Sequence, residues 1–256
     1  MMAFGPAGDE ETSIMLGRKP GWSIVSKFGQ NGDIDSAGPE DIWHGGGEYT
    51  GHPVGASTVD VAETCELFSA EAADSAAGTG ARTVRLQGLD ENGDPQSEDV
   101  TLDGSTPVAT VGLWYRVNRL FVLTAGSGEV NAGIITVRHT STTANVFAQV
   151  PAEHGQTLIA ATTIPAGHTG YLRRYSASMF DNTNNRARMA FWSRPMGGAV
   201  RIQRTFVVST ADAAAQTLYG GPSFPALTDL KMRCTAVQNN NGNVTADFDL
   251  LLVRDS

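Results

Sequence analysis

From residue 57 onward the sequence is written in short alternating apolar runs, each closed by Gly, Pro, Asn or Asp. No window sustains a 3.6-residue apolar period over three turns. Period two belongs to strands, because successive side chains of an extended chain point to opposite faces. Strands are expected at 57–62, 64–70, 83–89, 97–102, 112–126, 133–139, 146–150, 157–164, 170–180, 186–193, 199–209, 230–238 and 245–254, after a short one at 21–28. Asn92-Gly93 between two of these runs is a hairpin signal, and Val84 and Leu86 share one face while Arg85 and Gln87 share the other. An Asn/Gly turn at 239–243 separates the last pair. The expected fold is all-β, with antiparallel, jelly-roll-like sandwiches and little helix.

The turn at 151–155 offers a soft division. It gives an extended N-terminal arm and docking ribbon over 1–50, one sandwich lobe over 51–150 and a second over 151–256. Periodicity leaves open whether these are two tandem sandwiches or one large one with an elaborated edge. The first 20 residues, with an acidic cluster, a basic pair and a short apolar patch at Ile14-Met15-Leu16, read as an arm ordered by a partner.

A chain of 256 residues with 29 glycines and 7% aromatics is a turn-rich globular protein able to bury a core. No apolar run reaches membrane-spanning length, and residues 1–21 lack a basic start followed by an apolar stretch, so neither a span nor a secretory signal is expected. Cys65 and Cys234 lie in no CxxC or Cys/His cluster and read as buried free thiols. Charge is divided unevenly. Residues 1–150 hold 20 acids and 8 bases, net −12, and residues 151–256 hold 7 acids and 10 bases, net +3, which sum to −9. Two such halves can pair between identical subunits or simply face water. Nucleic acid is a poor partner for so acidic a chain.

Residues 27–51 mix turn formers, acids and large aromatics. Phe28, Trp43 and Tyr49 are candidate anchors for a ribbon lying on a neighbour, the other reading being an irregular cap over the chain's own sheet. The run D-I-D-S-A-G-P-E-D-I-W-H-G-G-G-E-Y at 33–49, with Gly-Thr-Gly-Ala-Arg-Thr-Val at 78–84, resembles structural proteins of tailed bacteriophages. A later Gly155-Gln156-Thr157 and the stretch Ile-Pro-Ala-Gly-His-Thr-Gly-Tyr-Leu at 164–172 extend the likeness, which spans about 33–180. The resemblance implies a virion component made in the host bacterial cytoplasm. Head decoration or cement, collar and tail fibre all stay open, and no catalytic residue is carried over.

Other constellations are weak. Asp90-x-Asn92-x-Asp94 imitates the start of a calcium loop, but Pro95 stands where that loop needs Gly and Thr101 where it needs Glu, so a hairpin tip is expected. His44, Glu48 and His52 match no helix or strand face that would hold a metal. The triple glycine 45–47 lacks the Lys-Ser/Thr of a phosphate loop. No catalytic, metal or cofactor site is therefore expected. Arg173, Arg174, Arg188 and Trp192, within an Arg- and aromatic-rich region spanning 171–204, are candidate interface residues, the alternative being arginines that point to water.

The expected function is that of a non-enzymatic virion subunit. It would associate with itself as a homotrimer and with the major capsid protein or another virion protein, with no membrane or nucleic-acid partner. Two other classes compete. A carbohydrate- or receptor-binding module would stack sugars on Trp114, Tyr115 or Trp192, and a polysaccharide-cleaving enzyme would need facing carboxylates.

Overall fold

The computed structural model describes residues 6–52, 60–180 and 184–255, so the run expected at 57–62 lies partly outside the described residues. A helix, α1 (Pro6–Met15), opens the chain and is followed by β1 (Trp22–Ile34) and β2 (Glu40–Asp41). Next come β3 (Cys65–Ser69), β4 (Ala81–Leu89), β5 (Pro95–Thr101), β6 (Val108–Ala109), β7 (Arg116–Ala125), β8 (Ile135–His139) and β9 (Val146–Val150). The remainder is β10 (Ala161–Thr163), β11 (His168–Phe180), β12 (Arg186–Pro195), β13 (Arg201–Ser209), β14 (Ala214–Thr217), β15 (Ser223–Phe224), β16 (Thr228–Val237) and β17 (Gly242–Arg254).

All strand pairings are antiparallel, and they form two sandwiches. One sandwich faces the sheet β6-β3-β8-β9 against β5-β4-β7; the other faces β1-β17-β11-β14 against β10-β16-β12-β13. Alternation explains both cores. In β4, Val84 and Leu86 point inward to meet Leu67, Leu120 and Val137. In the second sandwich Leu172, Phe248 and Leu250 meet Met189, Phe191, Leu230 and Met232, with Phe191 and Phe248 edge to face at 5.1 Å. Cys65 belongs to the first core and Cys234 to the second, and both thiols are free.

The two lobes are not consecutive. Residues 1–50, read from sequence as an arm and ribbon, contribute β1 to the second sandwich, where it runs beside β17 from Trp22↔Val253 to Ile34↔Gly242. Ile42 closes that second core, whereas the next residue, Trp43, enters the first. On the return, Ile159 lies in the first core, Ala160 in the second and Ala161 in the first. The outgoing and returning chains bond to each other at this crossing, with Ala160 N donating to Ile42 O at 2.9 Å and His44 N to Leu158 O at 3.2 Å. The first lobe is thus residues 43–159, inserted between β2 and β10 of the second. A β-carbon at Gly29 would come within 2.3 Å of the Ala160 nitrogen, so a residue without one is needed where β1 lies against the crossing.

The stretch expected as a mobile arm holds α1. Ile14 is buried, Arg173 reaches Glu11 at 3.3 Å, and the Lys19 ammonium sits 3.5 Å over the Trp22 ring while also pairing with Glu10. Gly17, at φ 66°, ends the helix in the left-handed conformation.

Candidate functional site

Strand β16 carries Leu230, Met232 and Cys234 on its inward face and Asp229, Lys231 and Arg233 on the other. The second face is not wet. The inserted lobe covers Asp229 and Lys231, and β2 with Trp192 covers Arg233, leaving all three charged side chains buried. Two ion-pair clusters result, and they weld the lobes together.

In the first cluster the Arg116 guanidinium holds Asp229 in a two-pronged bond at 3.0 and 2.9 Å. Arg116 also donates to Asp60 at 2.7 Å and to the Tyr115 carbonyl at 2.8 Å. Arg194 bonds Asp60 and lies 3.5 Å from Asp229, while the Thr163 hydroxyl donates to Asp229 at 2.7 Å. Burial works against the Asp229 charge. His52 and Arg116, with hydrogen bonds from Arg116 and Thr163, overcome it and hold the carboxyl at about 2. Burial pushes the neighbouring His52 imidazole down to about 3, so it is neutral at pH 7, its Nε2 lying 3.1 Å from the Thr163 hydroxyl.

In the second cluster Lys231 donates to Asp41 at 2.8 Å and to the His52 carbonyl at 2.9 Å, and Arg233 Nε lies 3.4 Å from Asp41. Burial raises the Asp41 carboxyl above the usual range, against the pull of Lys231 and Arg233. Asp41 also accepts the Tyr49 amide at 2.7 Å, and Glu40 accepts the amides of Asp35 and Gly47 at 2.8 and 2.9 Å. The acids of the 33–49 motif therefore close its own turns and tie them to β16. The charge asymmetry between the halves of the sequence is partly consumed within one chain, acids at 41 and 60 meeting bases at 194, 231 and 233.

The candidate interface residues separate into distinct environments. Trp43 and Tyr49 are corrected from ribbon anchors to core residues. Their rings meet at 5.2 Å inside the first lobe, and the Tyr49 hydroxyl donates to the Phe147 carbonyl. Phe28 is 45% exposed on β1. Arg174 reaches Asp247 at 3.2 Å and Asp249 at 3.7 Å along the same sheet, while Arg173 is engaged by Glu11. Arg188 is exposed, and Trp192 is half-buried with the Arg233 guanidinium 4.7 Å from its ring centre. The proposed stacking platforms Trp114 and Tyr115 are buried and cannot receive a sugar.

Other expectations resolve locally. Asp90 Oδ1 accepts the amides of Asn92 and Asp94 at 2.8 and 2.9 Å, which makes it the hinge of the hairpin tip. His44 and His52 line different clefts. Among the described residues no group of three or more His, Cys, Asp or Glu is placed to hold a metal ion, and no helix is long and apolar enough to cross a membrane.

An open groove of about 560 Å³ lies between the lobes, bounded by β1, β10 and β17 on one side and β4, β5 and β7 on the other. Neither the groove nor the buried clusters were visible in the strand pattern. The D-x-K-x-R alternation at 229–233 was the one available sign of a charged strand face.

No protein-family model and no curated protein matches the chain. Among solved structures, that of infectious bursal disease virus Gt strain aligns with 96% of this chain and 82% of its own at 8% identity and a TM-score of 0.20. The Gx strain structure aligns over 92% and 76% at 8% identity and 0.23, and the VP2 subviral particle of the same virus over 96% and 82% at 8% and 0.17. TM-scores this low do not separate a shared fold from a common abundance of strand.

Proposed function

We propose that the chain is a non-enzymatic structural subunit of a tailed-phage virion, a capsid decoration, collar or head-fibre protein that works by occupying a place in the particle. The supporting observation is one flank of the second sandwich. There β13 and β14 end their respective sheets, leaving two strand edges open among the described residues. Ile202 and Val207 on β13 and Tyr219 just after β14 are exposed, Tyr219 to 98%. Open edges bearing apolar side chains invite another chain, by strand pairing or by burial of the patch.

The proposed partners are other copies of the chain, as a homotrimer, and the major capsid protein or another virion protein. Neither nucleic acid nor membrane is required. The location is the virion, with synthesis in the bacterial cytoplasm. The resemblance of residues 33–49 to phage structural proteins supports this reading.

Two measurements test it. Antibody raised against the chain is used to probe density-banded particles from a producing lysate, where co-banding with the particles is expected and recovery of the chain only in the soluble fraction overturns the assignment. Native mass spectrometry of the full chain is expected to give a trimer that Ile202→Asp with Val207→Asp converts to monomer. A wild-type monomer, or a trimer indifferent to both changes, removes the β13 edge as its interface.

A further inference from the structure

The buried lysine and arginine side chains among the described residues are Lys27, Arg116, Arg194, Lys231 and Arg233. Four of these have a carboxylate partner: Arg116 and Arg194 pair with Asp229, Lys231 and Arg233 with Asp41. Lys27 differs. It is 8% exposed, and its ammonium donates to a neutral acceptor, the Asn118 carbonyl. It lines the interlobe groove, where the only other charged lining residue is Arg119, and no carboxylate contributes to that lining. Two cations in a groove without an acid form a site for an anion.

The rest of the lining narrows the chemistry. Gln87 and Gln156 bring carboxamides to the groove, and Ser97 and Thr162 bring hydroxyls. Gln156 Oε1 accepts from Arg119 at 2.9 Å, which leaves its amide protons for a ligand, while Gln96 turns its carboxamide to the other face of β5 and donates to the Leu113 carbonyl at 3.1 Å. Phe28, Pro95 and Pro165 add apolar surface. Such walls suit a polyhydroxylated ring with one polar edge and one apolar face. A compact inorganic anion would engage the cations and leave the amides idle.

We propose that the interlobe groove binds an acidic sugar chain, a carboxylate of the sugar held between Lys27 and Arg119 and its hydroxyls met by the Gln87 and Gln156 carboxamides. The site is separate from the β13 and β14 flank and does not depend on the assembly role. Burial, with a smaller contribution from Arg119, lowers the Lys27 ammonium to about 7, so a bound carboxylate would restore its charge. The charged or titratable groups acting with it are Arg119 on β7 and His52; β4, β10 and β17 present Gln87, Thr162 and Leu250.

The test is titration calorimetry of the full chain at about pH 6 with a galacturonic acid tetrasaccharide, a galactose tetrasaccharide and sodium phosphate as separate probes. The acidic tetrasaccharide is expected to bind, with the neutral one and phosphate each at least about tenfold weaker. Lys27→Met and Arg119→Gln are each expected to weaken the acidic probe at least about tenfold. Affinity should fall severalfold between about pH 6 and pH 8.5 in the wild type and stay level in Lys27→Met. Arg119→Gln lies at an exposed position and keeps the test decisive if Lys27→Met folds poorly. Equal binding of the neutral sugar or of phosphate, wild-type affinity in Arg119→Gln, or no heat with the acidic probe at millimolar concentration would overturn the proposal.

Discussion

Arg116 and Asp229, 113 residues apart in sequence, meet as a two-pronged pair at 3.0 and 2.9 Å beneath the surface where the inserted lobe covers β16. A buried ion pair contributes little net stability against an apolar replacement, yet breaking it strands a charge. Asp229→Ala is therefore expected to cost about 3–5 kcal/mol, while Arg116→Met combined with Asp229→Leu recovers most of that loss. Guanidinium unfolding of the single and double variants measures the coupling. Losses that add up across the two sites would show that the pair does not act as a unit.

The same cluster sets the response to acid. His52 has a folded-state value of about 3 against an ordinary 6.5, so the folded protein resists a proton that the unfolded chain accepts. Stability is full above about 6.5 and falls as the pH drops from there toward 3, by roughly 1.4 kcal/mol per unit. Asp229 adds a loss only lower, as the pH falls from 3.8 through about 2. His52→Gln, which keeps a donor toward the Thr163 hydroxyl, is expected to flatten stability between about pH 6 and pH 4. Matching slopes in wild type and variant would mean that His52 titrates freely.

Lys27 tilts the balance in the opposite direction. Its ammonium is lowered from 10.5 to about 7, so the unfolded chain binds more protons than the folded one between those values and stability rises with pH across that window. Lys27→Met removes the buried charge and keeps the stem's packing. The expected gain is about 1–3 kcal/mol at neutral pH, shrinking toward pH 10, and thermal unfolding at two pH values reads it. A variant less stable than wild type at neutral pH would show that the bond to Asn118 outweighs burial of the charge.

How much of this was legible follows from what alternation can encode. Strand β9 fell where the pattern put it, and β4, β12 and β17 within a few residues, because one face of each is apolar and buried. Strands β2, β6, β14 and β15 have two to four residues each, too few for a period to appear. Helix α1 was missed because Ile14 alone anchors it where side chains are described. The alternation of Asp229, Lys231 and Arg233 looks like any solvated face, and it is buried by residues distant in sequence, Arg116 and His52 of the insertion and Asp41 and Trp192 of the same lobe. Period carries no record of which lobe covers which strand, so neither the charged junction nor the groove beside it was readable.

Asp74 illustrates a similar gap on a smaller scale. The stretch 70–79 reads as a small, polar loop, yet the Asp74 carboxylate is fully buried and accepts four hydrogen bonds: from the Ser69 hydroxyl at 2.6 Å and the amides of Ala81, Ala132 and Gly133 at 2.7, 2.8 and 2.9 Å. Asp74→Ala leaves those donors unmet and is expected to cost about 3 kcal/mol or more. Asp74→Asn keeps one oxygen and should lose about half as much. Equal losses in the two variants would show that the carboxylate as a whole is required and that one retained oxygen of the same shape recovers nothing.

The N-terminal segment divides at Gly21 into a part the fold can lose and a part it cannot. Before that point, among the described side chains, Ile14 supplies the buried apolar contact and the Glu11–Arg173 and Glu10–Lys19 pairs lie near the surface. Deleting residues 1–16 is expected to cost about 1–3 kcal/mol, the value of one buried aliphatic side chain with weak surface pairs. Strand β1 is different in kind. Its removal exposes the edge of β17 from Val253 to Gly242, takes Ile34 from the second core and opens one wall of the groove. Deletion of residues 1–34 is expected to abolish cooperative folding, whereas the shorter deletion keeps the wild-type near-ultraviolet dichroism and one sharp thermal transition. A folded 1–34 deletion would mean that β17 needs no partner on that side, and that the N-terminal segment is an arm after all.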